Sequence, residues 1–440
     1  MTPQMDSEHL LNLDRTLVWH PCTQAGTAAP PVPIRSASGA VLTDIEGREV
    51  LDLISSRGAI LHGHGHPAIA AAVARQAHKL GQVMFAGFTH EPAVDLCRRL
   101  TGLLPGGLHR CFFSDNGSTA VEVALKMALQ AWRNHGVRGR TRFLAFDGGC
   151  HGDTVGAMSV GVSSGLFEAW RELLFPVDVL PVPHTWMADG EVQDRETAAL
   201  AVLDRHLERH GANTLAAVIE PLVQGGGGML MHRPAFLRAV VERLRSRGVL
   251  VILDEVMTGF GRTGEGFACL EAQVAPDILC LAQGLTGGAL PMGLTVTTEP
   301  VYQAFLDEAP EKAFQSGHAC TANPLACAAA LASLDLFVDP ACALARKQIE
   351  HCHRTGLAQV LLAEPHVSRL RIQGTIAAME VAGSPGLNAR MERFFLGRGL
   401  LLQPLGSTLY LMPPYCITDA QLDRAYETIV EGLGCGFADI

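Results

Sequence analysis

The sequence predicts an α/β protein in which helices cover both faces of a largely parallel sheet. Between about residues 70 and 315, short apolar runs of strand length alternate with segments whose apolar residues recur at helical spacing, a pattern typical of βαβ units. Several of these runs end in polar or glycine-rich turns. Since ligands of such sheets bind at the carboxyl ends of the strands, these turns form the predicted functional site.

Composition favours a small-molecule partner. The 440 residues are 48% hydrophobic, enough for a large core divided into two structural units. The net charge of −10 is spread along the chain without a basic block, which argues against nucleic acid and against anionic membrane surfaces. No apolar run reaches the ~20 residues that a membrane span needs, and residues 1–6 lack a signal-peptide pattern, so we expect a cytoplasmic protein. Twelve cysteines without a CxxC pair predict reduced thiols, most of them buried.

The first 70 residues are irregular. Residues 39–52 alternate apolar and polar side chains around a turn at Asp44–Gly47, which predicts a β-hairpin. His62, His64 and His66 then follow with single glycines between them. We interpret these histidines as loop packing, with metal ligation as the alternative.

Six apolar runs in the central region predict strands, at residues 110–114, 142–146, 215–220, 249–254, 278–282 and 294–298. The first is followed by Gly117 and Ser118, and apolar residues then recur at helical spacing over Thr119–Trp132. A Gly-Ser pair that opens a helix presents free backbone N–H groups and the positive end of the helix dipole, which suit a phosphate. The run at 249–254 ends in Asp254, and the run at 278–282 is followed by Gln283 and a glycine-punctuated turn.

The last third of the chain has a different organisation. It predicts helices at 324–337 and 340–362, then short strands, and a final helix from Thr418. We therefore divide the chain into an N-terminal segment at 1–70 that completes a small domain, a large domain at 71–315, and the C-terminal part of the small domain at 316–440.

The stretches around Asp254 and Gln283 resemble the paired signature of class III, fold-type I aminotransferases, which use pyridoxal phosphate. Within that family, the opening Trp19-His20-Pro21 and the motif Tyr410–Tyr415 are most similar to the diaminopelargonate synthase branch. The resemblance implies a large domain with a mostly parallel seven-stranded sheet, a small α+β domain, and a homodimer with active sites at its interface.

The resemblance also implies roles for individual residues. Asp254 would hold the pyridine nitrogen, Val256 would pack on the cofactor, and Thr321 would reach the phosphate from the neighbouring subunit. The implied cofactor-binding positions are Gly117, Ser118, Cys150, Asp254, Val256 and Thr321. The implied substrate-facing positions are Trp19, Cys22, Arg57 and Gln403.

Gln283 stands where the family has the lysine that forms a Schiff base with the cofactor. A carboxamide cannot form an imine, and its nitrogen has no useful basicity. Other family positions also differ: Cys22, Cys150 and Cys320 stand where aromatic residues are common, and Gln403 replaces an arginine that binds a substrate carboxylate. Arg57 brings a positive charge into the same region, which indicates an anionic substrate.

The leading hypothesis is therefore a repurposed enzyme that works without the lysine. It would use noncovalently held pyridoxal or pyridoxamine phosphate, or no such cofactor, on a small anionic substrate, with His151 or Tyr410 as the base. One alternative is an ordinary class III aminotransferase in an inactive Lys→Gln form, and another is a non-catalytic dimeric pseudoenzyme. Lys312 is the lysine that could approach a neighbouring site in place of residue 283.

The three cysteines allow two interpretations. Cys22, Cys150 and Cys320 each have a histidine within two positions, so converging thiols and imidazoles could bind zinc or supply a nucleophile. Alternatively, three small side chains enlarge the pocket for a bulkier substrate. We predict the enlarged pocket and no metal.

Overall fold

The computed structural model describes residues 6–361, 364–383 and 385–437. The N-terminal part contains α1 (Ser7–Leu17), β1 (Ile34–Ser38), β2 (Val41–Asp44), β3 (Glu49–Asp52), the helical turn α2 (Ser55–Gly58), α3 (Pro67–Lys79) and α4 (Glu91–Thr101).

The central part alternates strands and helices as the sequence predicts. Its elements are β4 (Leu108–Ser114), α5 (Gly117–Asn134), β5 (Arg142–Phe146), α6 (Val155–Val160), β6 (Val177–Leu180), α7 (Val192–His210), β7 (Thr214–Ile219), β8 (Val223–Gln224), β9 (Leu230–Met231), α8 (Pro234–Ser246), β10 (Leu250–Asp254), α9 (Ala268–Glu271), β11 (Ile278–Leu281), β12 (Gly293–Thr298) and α10 (Glu299–Gln303).

The C-terminal part follows a connection at residues 304–323. It contains α11 (Pro324–Val338), α12 (Pro340–Cys352), α13 (Ala358–Leu361), β13 (Val367–Gln373), β14 (Ile376–Val381), α14 (Leu387–Gly397), β15 (Leu400–Leu401), β16 (Thr408–Leu411) and α15 (Asp419–Cys435).

A seven-stranded sheet forms the centre of the molecule. Its strand order is β4-β12-β11-β10-β7-β5-β6, and every neighbouring pair is parallel except the two that involve β12. This confirms the predicted sheet and its strand number. The six predicted strands are all present, while β6 was not identified from the sequence because its four residues lie at the edge of the sheet and are mostly half-buried.

The central strands are buried on both faces, which explains their uninterrupted apolar runs. All residues of β7 and β11 are buried. Helix α5 packs one apolar face on the sheet and begins with a capping box. In this capping box the Asn116 side chain accepts from the Thr119 N–H, and the Thr119 hydroxyl accepts from the Asn116 N–H. The helix start beside β4 is therefore defined by local hydrogen bonds.

Two smaller sheets contain the N- and C-terminal residues. The predicted hairpin is confirmed as β2 and β3, which pair antiparallel with Val41 opposite Leu51. Strand β15 adds to β3 in parallel, so the first sixty residues and the C-terminal part share one sheet. Strands β13, β14 and β16 form the other sheet.

The predicted helix at 340–362 is helical over its described residues, but it includes a π-helical turn that the sequence did not predict. Helix α12 ends at Cys352, a wider π-helical turn spans His353–Leu357, and α13 follows. The buried His353 begins this turn, and its ring contacts Tyr426 Oη at 2.8 Å and the Thr375 carbonyl at 3.2 Å. The predicted end at Leu362 lies outside the described residues.

No single described helix is long and apolar enough to cross a membrane. The pair Pro324–Val338 and Pro340–Leu357 meets the length and composition criteria only when its 70° bend is ignored, and the first of these helices buries much of its surface in the core.

The buried histidine predicts a pH-dependent stability. Burial lowers the pKa of His353 from 6.5 to about 4, so the unfolded chain binds a proton at this site that the folded chain does not. We expect the free energy of unfolding to fall by on the order of 1–3 kcal/mol between pH 7 and pH 4.5 through this group. Urea unfolding of wild type and His353→Gln at both pH values tests this.

The exposed neighbour His351 provides a matched control through His351→Gln. The loss on acidification should be smaller in His353→Gln than in either wild type or the control. An equal loss in all three proteins would contradict the assignment.

Candidate active site

The carboxyl ends of several strands meet at one edge of the central sheet. Asp254 is the last residue of β10 and pairs in register with Cys280 of β11. Gln283 follows two residues after β11 ends and opens a short 3₁₀ turn. The sequence therefore places a carboxylate and a carboxamide at adjoining strand ends, as predicted.

Asp254 is paired with a histidine. His151 Nδ1 donates to Asp254 Oδ2 at 2.7 Å, and the two side chains are 1% and 4% exposed. Burial disfavours a charged imidazole, but the hydrogen bond to Asp254 raises the pKa of His151 above its ordinary value. His151 therefore binds and orients the carboxylate of Asp254. Its Nε2 is buried without a hydrogen-bond partner among the described residues.

Glu220 supports the adjoining loops. Its Oε2 accepts from the Cys150 N–H at 2.9 Å and its Oε1 from the Gly225 N–H at 2.9 Å. Complete burial, with the nearby charge of Asp254, raises the pKa of Glu220 to about 7 against the opposing effect of His151. This role was not predicted from the sequence, in which Glu220 is only the last residue of the apolar run at 215–220.

The N-terminus of α5 forms a cradle lined by closely packed glycines. A Cβ atom at Gly117 would lie 2.5 Å from Val256 Cγ1, and one at Gly152 would lie 2.4 Å from Ser118 Oγ, so both positions need glycine. Ser118 Oγ donates to Asp153 at 2.9 Å. The structure thus brings Gly117, Ser118 and Val256 together, with the positive end of an 18-residue helix available to a phosphate.

Thr321 lies in a loop beside this cradle. Its hydroxyl donates to the His318 carbonyl at 2.8 Å, and His318 pairs with Asp115 at 2.8 Å in the turn before α5. The loop also accepts from Gln82 through the Ala319 carbonyl at 2.9 Å. The role of Thr321 towards a neighbouring subunit stays a prediction.

The opposite wall is a strained turn that faces Gln283. Ser55, Ser56 and Arg57 have φ values of 52°, 46° and 66°, a left-handed run that is costly without glycine. A Cβ atom at Gly58 would lie 2.7 Å from Gln283 Oε1, so the carboxamide lies directly against this glycine. Gln283 Oε1 is buried without a hydrogen-bond partner in the described part of the chain.

Two buried charges hold the turn in place. The Asp52 carboxylate accepts from the N–H groups of Ile54 and Ser56 at 3.1 Å each and from the Ser56 hydroxyl at 2.8 Å. Arg262 donates to the carbonyls of Gly58 and Ile60 at 3.0 and 3.1 Å. Neither role was identified from the sequence, because the partners of Arg262 lie about 200 residues away along the chain.

Arg57 extends its side chain into the site region. Its Nη1 lies 3.9 Å from Cys22 Sγ, and its charge acts on Cys150 and Tyr410. Burial nevertheless raises the pKa of Cys150 to about 12, with a contribution from Glu220, and raises the pKa of Tyr410 to about 12. Both groups are therefore protonated at neutral pH.

Other predicted residues lie further out. Trp19 is 89% exposed and lines a cavity of about 780 Å³ whose walls come from residues 8–31 alone, so this single chain does not place it beside Asp254. Gln403, Cys22 and Cys320 are exposed. No group of three or more His, Cys, Asp or Glu side chains is arranged to hold a metal ion within residues 6–361, 364–383 and 385–437.

The glycine-separated histidines pack in a loop. His64 Nε2 contacts Asp52 at 2.9 Å, His62 Nε2 contacts Ser333 Oγ at 3.2 Å, and His66 caps α3. The candidate replacement lysine, Lys312, forms an ion pair with Asp307.

Comparison with known proteins identifies the family. The model of the class-III aminotransferases matches residues 23–433. An adenosylmethionine-8-amino-7-oxononanoate aminotransferase of Synechococcus elongatus is 48% identical over 419 residues, covering 94% of this chain and 97% of that protein. The protein of the same name from Geobacter sulfurreducens is 38% identical, with 98% of each chain covered.

A solved structure of a protein with the same name has the same fold. The crystal structure of an adenosylmethionine-8-amino-7-oxononanoate aminotransferase from Methanocaldococcus jannaschii superposes with a TM-score of 0.91 at 32% identity, covering 99% of this chain and all of that chain. The fold and site thus define a fold-type I transferase. The chain belongs to the class III aminotransferases, a family whose members use pyridoxal phosphate.

The raised thiol pKa of Cys150 yields a direct test. Because alkylation requires the thiolate, we expect iodoacetamide at pH 7.5 to modify Cys150 at least about a hundredfold more slowly than the exposed Cys22 in the folded protein. Quenched time points with peptide mass spectrometry measure both rates in one sample. Equal rates would restore Cys150 as a candidate nucleophile. Labelling of the unfolded protein in urea is the control, because it shows that both peptides are detected when both thiols are accessible.

Proposed function

We propose that this chain is an aminotransferase-family enzyme that holds pyridoxal or pyridoxamine phosphate without a covalent bond. It acts on a small anionic substrate by chemistry other than transamination through a lysine. One observation carries the proposal: Gln283, at the strand end beside Asp254, presents a buried carboxamide oxygen against Gly58 where the family resemblance puts the lysine. A carboxamide is neither a nucleophile nor a base at neutral pH.

The remaining residues fit the cofactor. The cradle of Gly117 and Ser118 suits its phosphate, and the carboxylate of Asp254, oriented by His151, suits a protonated pyridine nitrogen. Val256 lies against the cradle and offers an apolar surface. When bound, such a cofactor supplies an electron sink for carbanions.

The protein groups near this cradle differ in the protons they can move. His151 is a positioning residue, because its Nδ1 is committed to Asp254 and its ring is buried. Tyr410, with its pKa raised to about 12 by burial, donates a hydrogen bond more readily than it accepts a proton. Gln283 can donate and accept hydrogen bonds only. Orientation and electrostatic stabilisation are therefore the main contributions of this site.

Arg57 supports an anionic substrate. Its Nη1 lies 3.9 Å from Cys22 Sγ, and its charge acts on Tyr410 and Cys150. A substrate carboxylate or phosphate would give it a bidentate partner. We further propose a cytoplasmic homodimer in which Thr321 serves the partner's phosphate cradle, a proposal that rests on the family resemblance.

A second candidate function is ordinary amino transfer. The 48% identity with the Synechococcus elongatus adenosylmethionine-8-amino-7-oxononanoate aminotransferase favours it, and Gln283 would then be the main obstacle to activity. A non-catalytic dimer is the third possibility, and it requires that no small molecule saturates the site.

Cofactor binding is the first test. We expect the purified protein to bind pyridoxamine phosphate through phosphate and carboxylate contacts with a Kd in the micromolar range or below. A micromolar Kd corresponds to a binding free energy of about −8 kcal/mol. Pyridoxal phosphate should bind similarly, and borohydride should attach none of it to peptides containing residue 283. Calorimetry and peptide mapping measure the two properties, with Asp254→Ala as a variant expected to bind at least about tenfold more weakly. Absence of saturable binding would refute the proposal.

Restoring the lysine distinguishes the first two candidates. We expect Gln283→Lys to attach pyridoxal phosphate covalently, because the carboxamide already projects into the site. Transfer of an amino group from S-adenosylmethionine to 8-amino-7-oxononanoate should stay undetected, since Arg57, Cys150 and Gln403 also differ from the family pattern. Gln283→Met is the matched control without an amine.

Robust amino transfer by Gln283→Lys would instead support the ordinary aminotransferase. Product formation followed by mass spectrometry decides between the two outcomes.

A further inference from the structure

The glycine-rich loop at residues 225–229 forms close contacts with the site wall. A Cβ atom at Gly226 would lie 2.4 Å from Cys150 Cβ, one at Gly225 would lie 2.5 Å from Met257 Sδ, and one at Gly227 would lie 2.3 Å from the Gly148 carbonyl oxygen. A displacement of this loop would therefore change the position of Cys150 or open a gap beside it.

One end of this loop is fixed from within the large domain. The Gly225 N–H donates to Glu220, whose other carboxylate oxygen accepts from the Cys150 N–H. Glu220 also lies close enough to His151 and Asp254 for their charges to shift its pKa. The loop is thus linked to the buried pair at the strand end.

The other end is fixed by an arginine from β13. Arg371 is 3% exposed, its Nε donates to the Met229 carbonyl at 2.7 Å, and its Nη2 donates to the Gly228 carbonyl at 2.6 Å. The same Nη2 lies 2.9 Å from Glu380 Oε1, which balances the buried charge. Two carbonyls of the loop are therefore held by a single planar group.

The strands around Arg371 reinforce this arrangement. Glu380 on β14 accepts from the Ser407 hydroxyl at 3.0 Å and the Thr408 hydroxyl at 3.2 Å. A Cβ atom at Gly228 would lie 3.2 Å from Thr408 Oγ1. The C-terminal sheet thus contacts the loop both through the guanidinium and through β16.

We propose that Arg371 is a positioning residue for the cofactor site: it fixes the glycine-rich loop against the C-terminal sheet and thereby sets the wall formed by Cys150. A lysine retains the charge for Glu380 but cannot donate to both carbonyls in the same geometry. The statement about the loop stands on the contacts alone, while its consequence for the cofactor rests on the proposed function.

The test compares Arg371→Lys with wild type and with Arg369→Lys. Arg369 lies two residues away, and its guanidinium stacks on Trp186 at 5.0 Å, so it controls for loss of an arginine on the same strand. Hydrogen exchange of the amides of residues 225–229 is measured first, on the protein without cofactor. Because Arg371→Lys loses one or two hydrogen bonds to the loop, we expect the amides of residues 225–229 to exchange about tenfold faster than in wild type. The exchange rates of β14 and β10 should stay unchanged.

A second measurement follows the affinity for pyridoxamine phosphate. We expect the Kd of Arg371→Lys for pyridoxamine phosphate to rise about tenfold. We expect the cofactor-free Arg371→Lys protein to unfold at no lower temperature than the cofactor-free Arg369→Lys control. A merely structural arginine would lower the unfolding temperature and accelerate exchange throughout the sheet, with an unchanged Kd for the folded fraction, and that result would overturn the proposal.

The two measurements test the proposed function and the role of Arg371 independently. If wild type binds no pyridoxamine phosphate, the proposed function fails, but faster exchange confined to residues 225–229 still supports fixation of the loop by Arg371. Unchanged loop exchange in Arg371→Lys overturns the inference whatever the cofactor result.

Discussion

The ion pair between Asp254 and His151 is the interaction on which the rest of the site depends. A carboxylate at the end of a buried strand is costly to ionise unless a partner compensates it, and His151 provides that partner at 2.7 Å. The turn that carries His151 also carries Cys150, whose backbone is held by Glu220. Asp254 thus fixes the turn that carries His151, and Glu220 joins that turn to the loop at Gly225.

The second wall is held by a different means. The left-handed run at Ser55–Arg57 costs of order 1–3 kcal/mol for each residue, and it persists because Asp52 and Arg262 bind its backbone from both sides. This strain presents Arg57 and Gly58 towards Gln283. Hydrogen bonds from distant parts of the chain thus maintain a local geometry that the turn would not adopt by itself.

Local patterns account for what the sequence predicted correctly. The uninterrupted apolar runs of β7, β10 and β11 and the turn at Asn116–Ser118 are set by burial and by capping, both of which act over a few residues. The roles of Glu220, Arg262 and Arg371 could not be predicted in this way. Arg371, for example, binds carbonyls more than 140 residues away, and no spacing in the sequence indicates such a contact. The π-helical turn at His353–Leu357 was not predicted either, and the buried ring of His353 contacts Tyr426 on α15, which is distant along the chain.

The protonation states around Gln283 limit the chemistry that the site can perform. Cys150 and Tyr410 keep their protons at neutral pH, His151 is paired with Asp254, and a carboxamide has no basicity. Glu220 has a pKa of about 7, but both of its oxygens accept backbone N–H groups, so its protonation would weaken the support of the loops. None of these five groups is a free base at neutral pH, so they can contribute hydrogen bonds and electrostatic stabilisation rather than a proton acceptor.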